Sequence, residues 1–496
     1  MSRDGALLAI DQGTSSSRAI AFSFTGAVLE SAQQPFEPIY PHSGWVEHDP
    51  ELIWSTALAT AREVLRRLEA RAIPVVAVGI TNQRETTVAW NRRTGAPLCN
   101  AIVWQDRRTA DMCRRLADAG EQEPLAQRTG LRLDPYFSAT KMAWILEHVP
   151  EARSAASRGE LLFGTVDTFL LARLTGGRVH LTDATNASRT ALYDIVKGRW
   201  DSELCGLFGV PEECLARVED CAADFGATDP GVLGTALPIR GVAGDQHAAL
   251  VGQACFACGD VKSTYGTGAF LMLNTADRPV RSSSRLLTTV AYRLNGRTTY
   301  ALEGSILSAG ATVQWLRDGL GVIGQSADIE ALAGSVQDTQ GVYLVPAFTG
   351  LGAPYWDPDA RAAIVGLSRA SSAAQIARAG LDSVVYQTRD LLDAMAADGV
   401  APAALKVDGG MARNGLFLQR LADILAVPIH RPGIIEATAW GAACLAGMGC
   451  GAFGSPEDVR RLWHAQASFE PRSDPSSRER ELNGWHAALR RVGRQG

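Results

Sequence analysis

At 496 residues, with 46% hydrophobic and 20% charged residues, the chain has globular composition and too much length for one ordinary core, so disorder is excluded and two or more domains are expected. Lys and Arg number 48 against 53 Asp and Glu, and a net charge of −5 argues against a partner held by phosphate neutralisation; no nucleic-acid binding is expected. The only lysines, Lys141, Lys197, Lys262 and Lys406, never follow a glycine, which excludes the Gly-Lys-Ser/Thr phosphate cradle of P-loop NTPases.

No apolar run approaches the roughly 18 residues of a membrane helix, and Asp4 and Asp11 follow the first residue closely, so neither membrane insertion nor a signal peptide is expected. Nine cysteines form an odd set that suits reduced thiols and a cytoplasmic location. The Cys255-x-x-Cys258 pair has no second pair to complete a metal site and reads as structural.

In chain order, Leu7–Ile10 reads as a strand, residues 11–17 as a polar turn, and Ala19–Phe24 as a second strand, with Gly26 turning the chain into Val28-Leu29. Asp49-Pro50 is a helix start, and Leu52, Ile53, Ala57, Ala61, Val64, Leu65 and Leu68 follow at helical spacing. Pro74 interrupts, and Val75–Ile80 reads as a buried strand leading to Thr81-Asn82-Gln83-Arg84-Glu85. The pattern returns in the second half: residues 260–264 lead into Tyr265-Gly266-Thr267-Gly268, and Ala269–Leu273 leaves as a strand. Two hairpins with Gly-Thr tips, half a chain apart, suggest duplicated domains facing one cleft. The Gly-, Pro- and Ala-rich stretch 220–244 approaches the junction, with domains expected at 1–250 and 251–496. Farther on, Ser372 and Gln375 form a capping box, Gly399 stops that helix, and Leu405–Val407 is a strand ended by Asp408-Gly409-Gly410. A helix carrying Phe417, Leu418, Leu421, Ile424 and Leu425 follows, and Val427-Pro428-Ile429 reads as a short edge strand. The class is α/β.

Three turns at strand ends, residues 11–16, 265–268 and 408–410, contain no lysine, and their glycines let the backbone approach a phosphate closely. They fit a nucleotide cleft between paired domains. Asp11 suits a hydrated Mg²⁺, and Arg18 adds a cation beside it. Gly319-Leu320-Gly321-Val322-Ile323-Gly324 matches the dinucleotide fingerprint, but it follows a helical stretch where the true fingerprint follows a strand; it reads as helix termination.

Many further strings carry a resemblance. They include Ile10–Arg18, Gly44–Pro50, Thr81–Thr86, Ile102–Arg108, Tyr136–Trp144, Thr182–Thr190, Gly244-Asp245-Gln246 and Tyr265–Gly268. Together and in order, they make the sequence similar over nearly its whole length to the FGGY carbohydrate kinases, and within them to the members that act on glycerol. The resemblance implies two actin-like, ribonuclease-H-like domains with the active site in the cleft between them. It implies transfer of the ATP γ-phosphoryl group to glycerol, giving sn-glycerol 3-phosphate, with ATP and Mg²⁺ required, in a homo-oligomer (dimer or tetramer). Arg84, Glu85, Tyr136, Asp245 and Gln246 match positions that hold the polyol, and Trp104 and Phe270 match an apolar wall against its carbons. Asp245 matches the general base; Asp11, with Asp245, lies on the metal side. Thr14, Ser15, Ser16 and Arg18 match the phosphate loop, and Thr267, Gly310, Gln314, Gly410 and Asn414 match the nucleotide lining. His247, beside the base, is taken as a structural histidine.

One departure stands out. Some bacterial relatives bind fructose 1,6-bisphosphate through Gly-x-Arg ahead of the catalytic Asp, whereas this chain has Gly234-Thr235-Ala236. Inhibition by that sugar is therefore not expected. Three other readings compete: an FGGY kinase for a sugar such as xylulose or gluconate, an actin-like or Hsp70-like ATPase without a polyol pocket, and a catalytically dead regulator.

Overall fold

The computed structural model describes residues 5–357 and 359–493; Asp4 lies outside them. The opening apolar runs pair as an antiparallel hairpin, β1 (Ala6–Gln12) with β2 (Ser16–Ser23), in a register that sets Asp11 opposite Arg18. β3 (Val28–Pro35) extends it. Helix α1 (Pro50–Ala70) begins where the Asp49 carboxylate accepts the Glu51 N–H and Pro50 takes the first helical position, where its missing N–H costs nothing. The chain then returns to β4 (Val75–Asn82), parallel to β1, and β5 (Ile239–Gly244) lies parallel to β4. The sheet order is β5-β4-β1-β2-β3.

α2 (Asp245–Gly252) leads to the second sheet. There β6 (Val261–Tyr265) and β7 (Ala269–Ala276) repeat the hairpin, with Thr264 opposite Phe270. β8 (Leu287–Leu294) and β9 (Arg297–Ile306) continue it. β10 (Leu405–Asp408) and β11 (Ile429–Pro432) join in parallel, and β12 (Ala465–Phe469) closes the order β8-β9-β7-β6-β10-β11-β12. The strands β9-β7-β6-β10-β11 repeat the logic of β3-β2-β1-β4-β5. Intervening helices are α3 (Gly310–Asp318), α4 (Ala373–Ala397), α5 (Gly415–Leu425) and α6 (Ala437–Gly449). α4 carries the Ser372–Gln375 capping box, and Gly399 beyond its end has φ +92°. α3 stops at Asp318, directly before Gly319, as the helix-termination reading requires.

One expected element differs. The edge strand placed at Val427-Pro428-Ile429 is the interior strand β11, paired to β10 on one side and β12 on the other. Pro428 lies just before it and Pro432 at its end, so neither imide interrupts the ladder.

Burial of β1 on both faces explains its continuous apolar run. Leu8 and Ile10 join the core that contains Ile53, Ala57 and Val64 of α1. Leu7 and Ala9 join the core of Ala439, Trp440 and Ala443 from α6. Thus α6, late in the chain, packs on the first sheet and on α2, although the second sheet's strands come from residues 261–469. No helix among the described residues is long and apolar enough to cross a membrane.

Candidate active site

The strand ends of both sheets meet around Asp245. Beyond β4, the backbone N–H of Gln83 donates to the Gln12 carbonyl at 2.7 Å, and the Gln83 amide donates to Gln12 Oε1 at 3.0 Å and to the Gly13 carbonyl at 3.1 Å. Thr86 Oγ1 donates to Gln83 Oε1 at 2.8 Å and accepts the Trp104 backbone N–H at 3.2 Å; the Trp104 indole N–H returns to Thr14 Oγ1 at 2.9 Å. This circuit fixes the first turn to the loop that carries Arg84 and Glu85. In that turn Gly13 N–H closes on the Ser16 carbonyl at 2.9 Å; Ser15 is exposed, and Ser16 Oγ accepts from Gln33 at 3.0 Å. Arg18 pairs with Glu436. Asp11 is pushed up to about 7 by burial, with Asp245 and Glu436 adding to the effect and Arg18 opposing it.

Asp245 opens α2 directly after β5. Its Oδ1 lies 3.2 Å from Arg84 Nε and accepts the Gln246 backbone N–H at 2.6 Å, and the side chain is 29% exposed. Gly244 makes the approach possible: a Cβ there would meet Arg84 Cγ at 2.7 Å. Arg84 is buried, with Nη1 on Glu303 Oε2 at 2.5 Å and Nη2 3.4 Å from the Tyr136 hydroxyl. Glu85 adopts φ +62°, and its Oε1 accepts from Arg189 Nε at 2.6 Å. The loop of Tyr136 is pinned by Lys141, whose buried ammonium donates to the carbonyls of Pro135, Tyr136 and Phe137; burial lowers Lys141 to about 8.

Trp104 sits edge-on to Tyr136 at 5.6 Å and to Phe270, from the second sheet, at 6.2 Å. These rings form an apolar wall beside carboxylates, a guanidinium and an amide. Gln246 Oε1 accepts from the buried Lys262 ammonium at 2.5 Å, which leaves the amide N–H₂ as the end able to face a ligand. Burial lowers Lys262 to about 8. His247 is buried beside them; burial and the cations Arg84, Arg189 and Lys262 hold it well below its usual range, so it is a neutral ring whose Nε2 lies 3.3 Å from Thr289 Oγ1.

On the second sheet, the Gly266–Gly268 turn is bolted to the start of α3. The Gly266 carbonyl accepts Gly310 N–H at 2.9 Å, and the Thr267 carbonyl accepts Ala309 and Ala311 N–H at 2.9 and 3.0 Å. A Cβ at Gly310 would meet Gly266 O at 2.6 Å, so only glycine fits. Thr267 itself is exposed, and Gln314 is exposed one turn along α3. Gly409, at φ +89°, passes the Tyr265 carbonyl at a distance that forbids a side chain, whereas Gly410 opens onto free space. Asn414 Oδ1 caps α5 by accepting Phe417 N–H at 2.8 Å, so only its amide N–H₂ remains for a ligand.

The expected residues of the polyol side therefore converge, and the turns at 13–16, 266–268 and 409–410 supply open backbone near them. Sequence reasoning missed Arg189, Lys262 and Glu303. Two of them had a signal: Glu303 and Lys262 are charges inside otherwise apolar or β-favouring strands, where an unpaired charge is costly. The donor chemistry fits Mg²⁺. Asp11, Asp245 and Glu436 interact electrostatically, yet no group of three or more His, Cys, Asp or Glu side chains among the described residues could cage an ion. A hydrated cation that takes its other oxygens from water and phosphate suits such a site.

Residues 6–252 match the N-terminal domain, and residues 261–450 the C-terminal domain, of the FGGY family of carbohydrate kinases. The glycerol kinase of Ectopseudomonas mendocina is 56% identical over 99% of both chains, and that of Rhodospirillum rubrum 56% identical over 98% of both. Among solved structures, Plasmodium falciparum glycerol kinase with ADP superposes at TM-score 0.93, with 34% identity and 98% of each chain covered. Gluconate kinase from Lactobacillus acidophilus, at TM-score 0.88 and 20% identity, shares the fold. The chain belongs to the FGGY family of carbohydrate kinases.

Proposed function

We infer that this chain is a glycerol kinase, transferring the γ-phosphoryl group of ATP to glycerol to give sn-glycerol 3-phosphate and ADP. One observation carries the reading: Asp245 Oδ1 is held by Arg84 and the Gln246 N–H, which leaves Oδ2 as the oxygen able to take a proton in a cleft walled by Trp104 and Phe270. The attacking hydroxyl gives its proton to Asp245 while its oxygen bonds to the γ-phosphorus and the bond to the β-phosphate oxygen breaks. Arg84, Glu85, Tyr136 and the Gln246 amide hold the remaining hydroxyls; an analogue lacking one would leave buried polar groups unpaired, and the site would discriminate against it.

Open backbone at Thr14–Ser16, Thr267 and Gly410, with Arg18, Gln314 and the Asn414 amide, is assigned to the nucleotide. Asp11, through water, and Asp245 would hold Mg²⁺. That ion neutralises charge developing on the phosphoryl oxygens.

The same reading divides the chain near residue 250 into a glycerol-side and a nucleotide-side domain. It places the enzyme in the cytoplasm, consistent with nine free cysteines. It includes a homo-oligomer, for which family membership is the support; sedimentation analysis tests it. A coupled ADP-release assay tests the activity: release should require glycerol and Mg-ATP together. Glycerol-independent release would instead favour an actin-like or Hsp70-like ATPase, and preference for xylulose or gluconate over glycerol in a substrate panel would move the chain to another branch of the family.

A further inference from the structure

Behind the polyol side chains, four charges close into a ring. Glu85 Oε1 accepts Arg189 Nε at 2.6 Å; Arg189 Nη2 donates to Glu303 Oε1 at 2.9 Å; Glu303 Oε2 accepts Arg84 Nη1 at 2.5 Å; and Arg84 Nε lies 4.0 Å from Glu85 Oε1, closing the circuit. Signs alternate around it, and no member is more than 3% exposed. Arg84, Glu85 and Arg189 come from the first half of the chain, whereas Glu303 reaches in from β9 of the second sheet. We propose that Arg189 and Glu303 are positioning residues that orient Arg84 and Glu85 for the polyol, and that Glu303 makes the glycerol site complete only when the second sheet is docked on the first half.

Burying four ions is a poor route to stability, since well-packed apolar residues do as well or better. The arrangement makes sense as orientation. Glu303 occupies Arg84 Nη1 and, at 3.3 Å, Nη2, which leaves Nε for Asp245. Without Glu303, the guanidinium is free to turn its terminal nitrogens onto Asp245 and take the oxygen that receives the proton. Arg189 holds one oxygen of Glu85 and leaves the other for a hydroxyl, and it lies over the rings of Tyr136 at 5.5 Å and Phe137 at 5.2 Å, so it also steers Tyr136. Arg189 Nη1 is buried with no partner among the described residues, an unspent donor on the ring.

The proposal rests on the reading of Arg84 and Glu85 as polyol holders, and the test separates the two. Steady-state kinetics on the full-length enzyme would compare wild type, Glu303→Gln, and the charge-balanced double variant Arg189→Met/Glu303→Gln, with melting temperature and ADP affinity by calorimetry measured alongside. Glu303→Gln should raise KM for glycerol about tenfold or more and leave ADP affinity within about twofold. The double variant removes one charge of each sign, so it should recover thermal stability lost by the single variant, or fold where that one does not, and still show the raised KM. Glycerol KM within about twofold of wild type in Glu303→Gln, or recovery of KM together with stability in the double variant, would make the ring purely structural and overturn the proposal. A wild-type protein without glycerol-dependent ADP release would instead take down the functional reading, and the ring's role with it.

Discussion

Asp245 and Arg84 touch each other yet should fail differently when changed. Asp245→Asn keeps the shape and one acceptor but removes the carboxylate proposed to receive the proton, so kcat should fall about 10²–10⁴-fold. Arg84→Ala removes contacts made already in the ground state, so KM for glycerol should rise at least as much as kcat falls. Nucleotide affinity should survive both, because Thr14, Thr267, Gly410 and Asn414 lie on other turns. Near-wild-type kcat for Asp245→Asn at saturating glycerol and Mg-ATP would remove Asp245 from its role. At this scale Arg84, Glu85, Asp245 and Gln246, proposed to hold the polyol, stood out because they sit in contiguous strings, Thr81–Thr86 and Gly244–Gln246. Glu303 was not, since it meets Arg84 from 219 residues away and nothing in local pattern pairs them.

Secondary elements were legible where turn chemistry and capping act locally: both Gly-Thr hairpins, the Asp49-Pro50 start and the Ser372–Gln375 box all form at the expected places. Pro428 misled because a proline just outside a strand resembles one tolerated on an edge. The loop before β5 has a functional consequence of its own. Ala236 is exposed where some relatives place arginine, and the neighbouring guanidiniums are committed: Arg178 to Asp229 at 2.7 Å and to the Ala227 carbonyl at 3.0 Å, Arg62 to the Val232 carbonyl. A bisphosphate needs fixed cationic donors to offset its desolvation. Millimolar fructose 1,6-bisphosphate should therefore leave activity unchanged, and inhibition that vanishes on changing Gly234 would contradict this. The turn after α2 makes a second case. Cys255 is buried in the apolar core, its thiol pushed up to about 12 by burial, while Cys258 is exposed. Cys258→Ser should be silent, and Cys255→Ser should cost about 1–3 kcal/mol of stability for a buried hydroxyl, with kcat retained in the double variant. Stoichiometric zinc in the purified protein, lost in that variant, would show the pair to be a metal site.

At the scale of the molecule, the two halves meet at backbone contact as well as through side chains. α6 reads Ala437-Thr438-Ala439-Trp440-Gly441-Ala442-Ala443, mostly small and apolar, which announces burial without saying against what. Its partners are α2 and the first sheet, and the approach is so close that glycine is obligatory on both sides. A Cβ at Gly441 would lie 1.7 Å from the Ala248 carbonyl, one at Gly252 would lie 2.0 Å from the Ala437 carbonyl, and one at Gly79 of β4 would lie 2.2 Å from the Ala442 carbonyl. α2 is also the helix that begins with Asp245, so the proposed general base is carried on an element clamped between the first sheet and a helix from the far end of the chain. The obstructing atoms are main chain and cannot rotate away. Gly441→Ala should therefore cost about 3 kcal/mol or more, at the upper end of overpacking effects, and any folded fraction should lose kcat because α2 must shift to relieve the contact. Gly206 supplies the control: it lies in the helix Ser202–Phe208, and nothing within 4 Å would meet an added Cβ. There alanine should stabilise by about 0.5–1 kcal/mol through helix propensity alone and leave kinetics untouched. Urea denaturation of the two variants beside wild type reads both signs at once. Equal stability in Gly441→Ala and wild type would mean that α2 and α6 are not held at backbone contact, and that Asp245 is positioned by something other than this clamp.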